Sequence, residues 1–128
     1  MKSLLILGAG GFGRMVKETA LALGYEEVLF LDDAAKDNDV IGRCCDYHLY
    51  HRDYSVAVAA FGNNKTRLFW TQKLLEEEYE VPAIVHPSAI VSPSVRLEPG
   101  CFIMQRAVVN MNTTIKMAAL INSGAVVD

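Results

Sequence analysis

Residues 85–128 read VHPSAIVSPSVRLEPGCFIMQRAVVNMNTTIKMAALINSGAVVD, and every sixth position from the first is aliphatic: Val85, Val91, Leu97, Ile103, Val109, Ile115, Ile121 and Val127. About a quarter of the chain is Ile, Leu or Val, so eight successive hits in any of six phases have a chance probability on the order of 10⁻⁴. Two residues before each later hit runs a second, mostly small series: Ala89, Val95, Cys101, Ala107, Thr113, Ala119 and Ala125. A helix repeats every ~3.6 residues and a strand every ~2. A strict six instead marks one short strand and one turn per repeat, stacked as a β-helix.

If three hexads make one coil, residues 18 apart stack on one outer face. Ile84, Phe102 and Leu120 then form one stripe, Ile90, Val108 and Val126 a second, and Arg96 with Thr114 a third. Contiguous apolar surface usually marks an interface. One apolar stripe is therefore expected to pack on the N-terminal half and the other on a neighbouring subunit.

Upstream, Leu4 to Leu7 is an apolar run of buried-strand length. Gly8, Gly10 and Gly13 follow as G-x-G-x-x-G, and Phe12, Val16, Thr19, Ala20 and Leu23 then recur at helical spacing until Gly24. A second apolar strand, Val28 to Leu31, ends in Asp32 and Asp33, 19 and 20 residues after Gly13. That is where a nucleotide-binding βαβ unit carries its ribose-binding acid. Strand, glycine loop, helix and acid together favour nucleotide binding over the plainer alternative, a tight turn that binds nothing.

Ala34 to Tyr54 predicts loops with one short helix at most. Ser55 to Phe61 predicts a third buried strand, running into Gly62-Asn63-Asn64-Lys65 and a helix over Thr66–Tyr79. Lys65 and Arg67 lie where open α/β sheets collect ligands and can neutralise a diphosphate, although each alone also reads as a solvated charge. Val81-Pro82 breaks the helix, which divides the chain into residues 1–80 and 81–128. The fold class expected is α/β: a small Rossmann-like parallel sheet followed by a parallel β-helix of hexapeptide repeats.

The composition narrows the function. Hydrophobic residues make up 52% and charged residues 21% of the 128, which describes a chain able to build a core. The net charge, 12 − 15 = −3, comes without a basic cluster, so neither nucleic acid nor a membrane is an expected partner. Three cysteines lack the spacing of a zinc site or a disulfide framework and fit a reducing cytoplasm. The initial apolar run stops at Gly8, too short for a span or signal peptide. No metal site is expected, and His86 reads as structural rather than as a base. One mononucleotide unit before the β-helix holds too little protein for a dinucleotide, which leaves an NAD-dependent oxidoreductase fragment as the weaker alternative.

LILGAGGFGR, LDD, FGNNKTR, VHPSAIVSPSV and INSGAVVD, in that order over the whole chain, resemble bacterial sugar acetyltransferases. That family includes sialic acid O-acetyltransferases and N-acetyltransferases of UDP-4-amino-sugars. The resemblance implies a left-handed β-helix that forms a homotrimer, with acetyl-CoA as co-substrate and a UDP-amino-sugar or sialic acid as acceptor. It places Gly10, Gly11 and Phe12 along the phosphates and sugar, and Asp32 and Asp33 at the uridine; Gly8 and Gly13 of the same loop join them as substrate-binding candidates. Asn63 and Lys65 would close the other side, with Asn122 near the acceptor amine or hydroxyl; Gly62, at the end of the third strand, and nearby Arg67 complete the substrate-binding candidates.

It also implies a catalytic histidine directly after Asp128, so no catalytic residue is expected among residues 1–128, and the β-helix reads as truncated. The expectation is thus the N-terminal portion of an acetyltransferase, competent for nucleotide-sugar binding. The alternative is a non-catalytic nucleotide-binding or oligomerisation module.

Overall fold

A computed structural model describes residues 2–128. The chain folds into a four-stranded parallel sheet followed by a left-handed parallel β-helix. In chain order the first half comprises β1 (Ser3–Leu7), α1 (Gly11–Ala22), β2 (Glu27–Leu31), β3 (Val40–Gly42), a 3₁₀ segment (Cys44–Leu49), β4 (Ala57–Ala59) and α2 (Asn64–Glu76). The sheet order is β3-β2-β1-β4, all parallel. Leu4, Leu5, Ile6 and Leu7 are fully buried, as an apolar run in a sheet covered on both faces requires.

β3 escapes the sequence reading because it is a half-buried edge strand of three residues inside a polar stretch. α2 begins two residues earlier than its apolar spacing suggests, since the Asn63 side chain accepts the Thr66 N–H at 2.9 Å and caps it. It also ends earlier. Glu78 adopts φ 66° and the Tyr79 N–H returns to the Leu74 carbonyl, which closes the helix before the acidic run is complete.

The second half places two-residue strands at strict hexad spacing. They are β5 (Ile84–Val85), β6 (Ile90–Val91), β7 (Arg96–Leu97), β8 (Phe102–Ile103), β9 (Val108–Val109), β10 (Thr114–Ile115), β11 (Leu120–Ile121) and β12 (Val126–Val127). They form three faces, β11-β8-β5, β12-β9-β6 and β10-β7, with Ile84 opposite Phe102 and Phe102 opposite Leu120. Three hexads therefore make one coil. Cys101, Ile103, Ala107, Val109 and Ile115 fill the solenoid, members of the two inward series. The turns carry a left-handed residue every sixth position, Gly100, Arg106, Asn112, Ala118 and Gly124.

The first outer stripe is the seam between the halves. Ile84 and Phe102 are buried, and Leu120 packs against the same core as Leu4, Val16 and Leu74. Phe12 meets Phe102 edge to face with centroids 5.1 Å apart. One turn apart on α2, Arg67 donates from Nε to the Ala118 carbonyl at 2.6 Å, while Thr71 packs where a side chain on Gly100 would stand. The second stripe faces outward, with Ile90 68% and Val126 66% exposed.

Candidate functional site

In a sheet of order β3-β2-β1-β4 the direction of winding reverses between β1 and β4, and the crevice beyond their C-terminal ends is where such folds bind ligands. Two loops meet there, Gly8–Gly10 and Ala60–Asn63. Gly8, at φ +100°, lets them touch, because a side chain on it would stand 2.8 Å from the Ala60 carbonyl oxygen. Gly13 packs directly on the Gly8 carbonyl, where any side chain would collide. The other glycines differ. Gly10, Gly11 and Gly62 are exposed, and a Cβ on each would meet nothing within 4 Å.

α1 thus opens on bare backbone with no side-chain cap and no acid in its first turn. The first N–H groups of a helix have no intrahelical partner, and with the helix dipole they suit an anion. Lys65 is exposed on the first turn of α2, across the crevice.

Asp32 works inside the protein. Its carboxylate accepts from the N–H groups of Ala9 at 2.7 Å, Ala34 at 2.9 Å and Ala35 at 2.8 Å, fixing the glycine loop to the end of β2. Asp33 accepts the Cys44 N–H at 3.0 Å and remains exposed. Beside them a concavity of about 480 Å³ is lined by Asp32, Asp33, Lys36, Ile41 and Arg43. Burial, with the carboxylates of Asp33 and Asp32, pushes the Cys44 thiol up to about 12, so it is no nucleophile at neutral pH.

Two residues read as ligand contacts have other work. Arg67 is 2% exposed. Besides Ala118, its guanidinium donates to the carbonyls of Phe61 (2.8 Å) and Gly62 (3.3 Å) and to Asn64 Oδ1 (2.8 Å). A side chain so enclosed does not reach a diphosphate, which corrects that expectation. The Phe12 ring lies in the seam with Phe102, so at most its backbone N–H faces a ligand. Asn63 spends its side-chain oxygen on the cap, leaving its amide nitrogen. Asn122 is exposed and directly follows β11, on the β-helix face that packs against the first half.

The sequence reading missed a clamp behind the glycine loop. Arg14 binds Asp39 at 2.6 Å and Asp37 at 2.8 Å, and Lys17 binds Asp39 at 2.6 Å. Arg14 directly follows the glycine motif, but its partners lie in the stretch with no periodicity to read.

The three histidines are placed structurally. His86 Nδ1 accepts the Ser88 N–H at 3.0 Å and lies 2.8 Å from Ser88 Oγ, which in turn accepts the Arg106 N–H. His51 Nε2 lies 3.1 Å from the Glu78 carbonyl, and exposed His48 packs against Tyr47. Among the described residues there is no cluster of three or more His, Cys, Asp or Glu that could hold a metal, and no helix long and apolar enough to cross a membrane.

Residues 3–74 match the PglD N-terminal domain family. Over its whole length the chain is similar to several solved structures. One is the acetyltransferase domain of PglB from Neisseria gonorrhoeae FA1090 in complex with acetyl coenzyme A, at 35% identity and TM-score 0.90 over 99% of this chain and 64% of that one. Another is PerB from Caulobacter crescentus in complex with CoA and GDP-perosamine, at 30% and 0.92 over 100% and 63%. A third is a histidine-to-asparagine variant of perosamine N-acetyltransferase from the same organism, at 30% and 0.94 over 100% and 63%. The chain spans a little under two thirds of the length of each.

Proposed function

The chain belongs to the PglD N-terminal domain family of bacterial sugar acetyltransferases, and from that premise we propose that its crevice binds a nucleotide-linked amino-sugar as the acceptor in acetyl transfer from acetyl-CoA. The observation that carries this reading is the pairing of bare glycine backbone at the start of α1 with exposed Gly62 and Lys65 across the switch point. Such a site suits a diphosphate, whose charge the helix start and Lys65 offset. The base and ribose extend toward Asp33 and the concavity beside β2, and the sugar toward β11 and Asn122.

In this reading residues 1–80 hold the acceptor and residues 81–128 belong to the β-helix platform. Acetyl-CoA supplies the acetyl group as a thioester. This chain's residues bind and orient the acceptor and keep its diphosphate fixed. The acceptor amine gives up a proton as it takes the acetyl group, a step that a general base assists. The outward stripe Ile90, Val108 and Val126 supports a homotrimer built through the β-helix.

Calorimetric titration of the chain with UDP, GDP and NAD tests the reading. UDP or GDP is expected to bind and to raise the melting temperature, since a ligand at about 100 times its Kd stabilises by about 2.7 kcal/mol. Silence toward both at millimolar concentration, with a response to NAD, would favour an oxidoreductase fragment instead.

A further inference from the structure

Arg67 is a buried cation whose partners include no carboxylate: it donates to three backbone carbonyls, of Phe61, Gly62 and Ala118, and to the Asn64 side-chain oxygen. Enclosing a guanidinium away from any carboxylate is unfavourable, because the charge gives up its hydration. The geometry of the carbonyls shows what the charge accomplishes. In a trans peptide the C=O of one residue and the N–H of the next point in opposite directions, and there is no cis bond among the described residues. Drawing the Phe61 and Gly62 carbonyls inward therefore turns the Gly62 and Asn63 N–H groups outward, and both residues are exposed at the crevice. The third carbonyl, that of Ala118, lies at a β-helix turn of φ 59°, two residues before β11 and four before Asn122.

Resting on the acceptor-binding reading above, we infer that Arg67 is a positioning residue. It orients the Gly62 and Asn63 amides toward the acceptor's diphosphate and locks that loop to the β-helix coil carrying Asn122, without touching the ligand. Thr71 supports the lock from the next turn of α2, where its hydroxyl donates to the Arg67 carbonyl at 2.8 Å and its methyl packs at Gly100. Positions 100 and 118 are 18 apart, one above the other on successive coils, so two side chains of one helix face engage two coils at the same turn.

Amide hydrogen exchange on the ligand-free chain, read beside UDP and GDP titrations, tests this with Arg67→Lys, Arg67→Met and Lys65→Met. Arg67→Met is expected to speed exchange at Thr66 and Arg67, whose N–H groups bond to Asn63, and at Ala118 and Ala119, whose N–H groups bond within the β-helix, while β1 and β2 stay protected, and to weaken nucleotide binding by about tenfold or more. Arg67→Lys recovers part of both effects. Lys65→Met weakens binding while leaving ligand-free exchange unchanged, as a direct contact should.

Should Arg67→Met not fold, Asn64→Ala removes one partner of the fork and is expected to produce a smaller change at the same amides. Unchanged exchange at 66–67 and 118–119, or wild-type nucleotide affinity in Arg67→Met, overturns the inference. Silence of the wild-type chain toward both nucleotides instead overturns the acceptor-binding reading and with it the diphosphate role, while the exchange data still decide the tie between loop and coil.

Discussion

Asp32 Oδ2 lies 2.7 Å from the backbone nitrogen of Ala9, so the carboxylate at the end of β2 grips the residue between the first two glycines of the loop. Its other oxygen accepts from Ala34 and Ala35, and one side chain thereby fixes two rims of the crevice. Burial acts to raise its pKa, but the N–H groups of Ala35, Ala9 and Ala34 and the charge of Arg14 outweigh it and hold the carboxyl below its usual value.

Replacing Asp32 by Ala leaves three N–H groups without their acceptor and is expected to cost about 2–3 kcal/mol, read as a lower urea midpoint. Because the folded pKa is depressed, the stabilisation is complete above the unfolded value of about 3.9 and is lost as pH falls through the lower folded value. The difference between wild type and variant should therefore shrink in acid. A constant difference across that range would assign the loss to packing instead.

Two glycines of one motif should behave oppositely. Gly13→Ala drives a methyl into the Gly8 carbonyl and is expected to destabilise by about 3 kcal/mol or more. Gly11→Ala meets nothing within 4 Å, so the melting temperature should hold while UDP or GDP binding falls. Equal binding by Gly11→Ala and wild type would show that the open space does not receive the phosphates.

Asp39 is held down to about 2, first by its hydrogen bond from Arg14, against the opposing effect of burial, and further by Lys17. Its contribution is present above the unfolded value and is lost between about pH 4 and pH 2. Asp39→Asn is expected to cost about 1 kcal/mol at pH 7, allowing for solvent screening, and only a small fraction of that at pH 2, where the folded carboxyl is half protonated. Thermal melts at the two pH values check this.

Glutamate at both Ile90 and Val126 places charge on the outward stripe, where both residues are more than 60% exposed and no core packing is disturbed. Sedimentation of the wild-type chain is expected to show a trimer, and the double variant a monomer with an unchanged circular dichroism spectrum. A wild-type chain that stays monomeric at every concentration removes the trimer from the proposal.

The sequence by itself determined the β-helix, because a hexad period constrains every repeat independently and the side chains that fill the solenoid are those that carry the period. It also determined the strand-loop-helix start, whose apolar run and glycines are local signals. It went further and identified the stripe of Ile84, Phe102 and Leu120 as a contact face, since stacking 18 residues apart follows from three hexads per coil.

Only the tertiary structure decided what the polar residues do. Asp32 and Arg67 sit at positions where a ligand contact and a backbone clamp look the same in sequence, and the partner decides between them. Those partners are backbone groups of Ala9 and Ala118, brought in from 23 and 51 residues away. A backbone carbonyl or N–H has no sequence signature, so the loop that Arg67 holds, and the amides it turns toward the crevice, became legible only once the two halves were packed together.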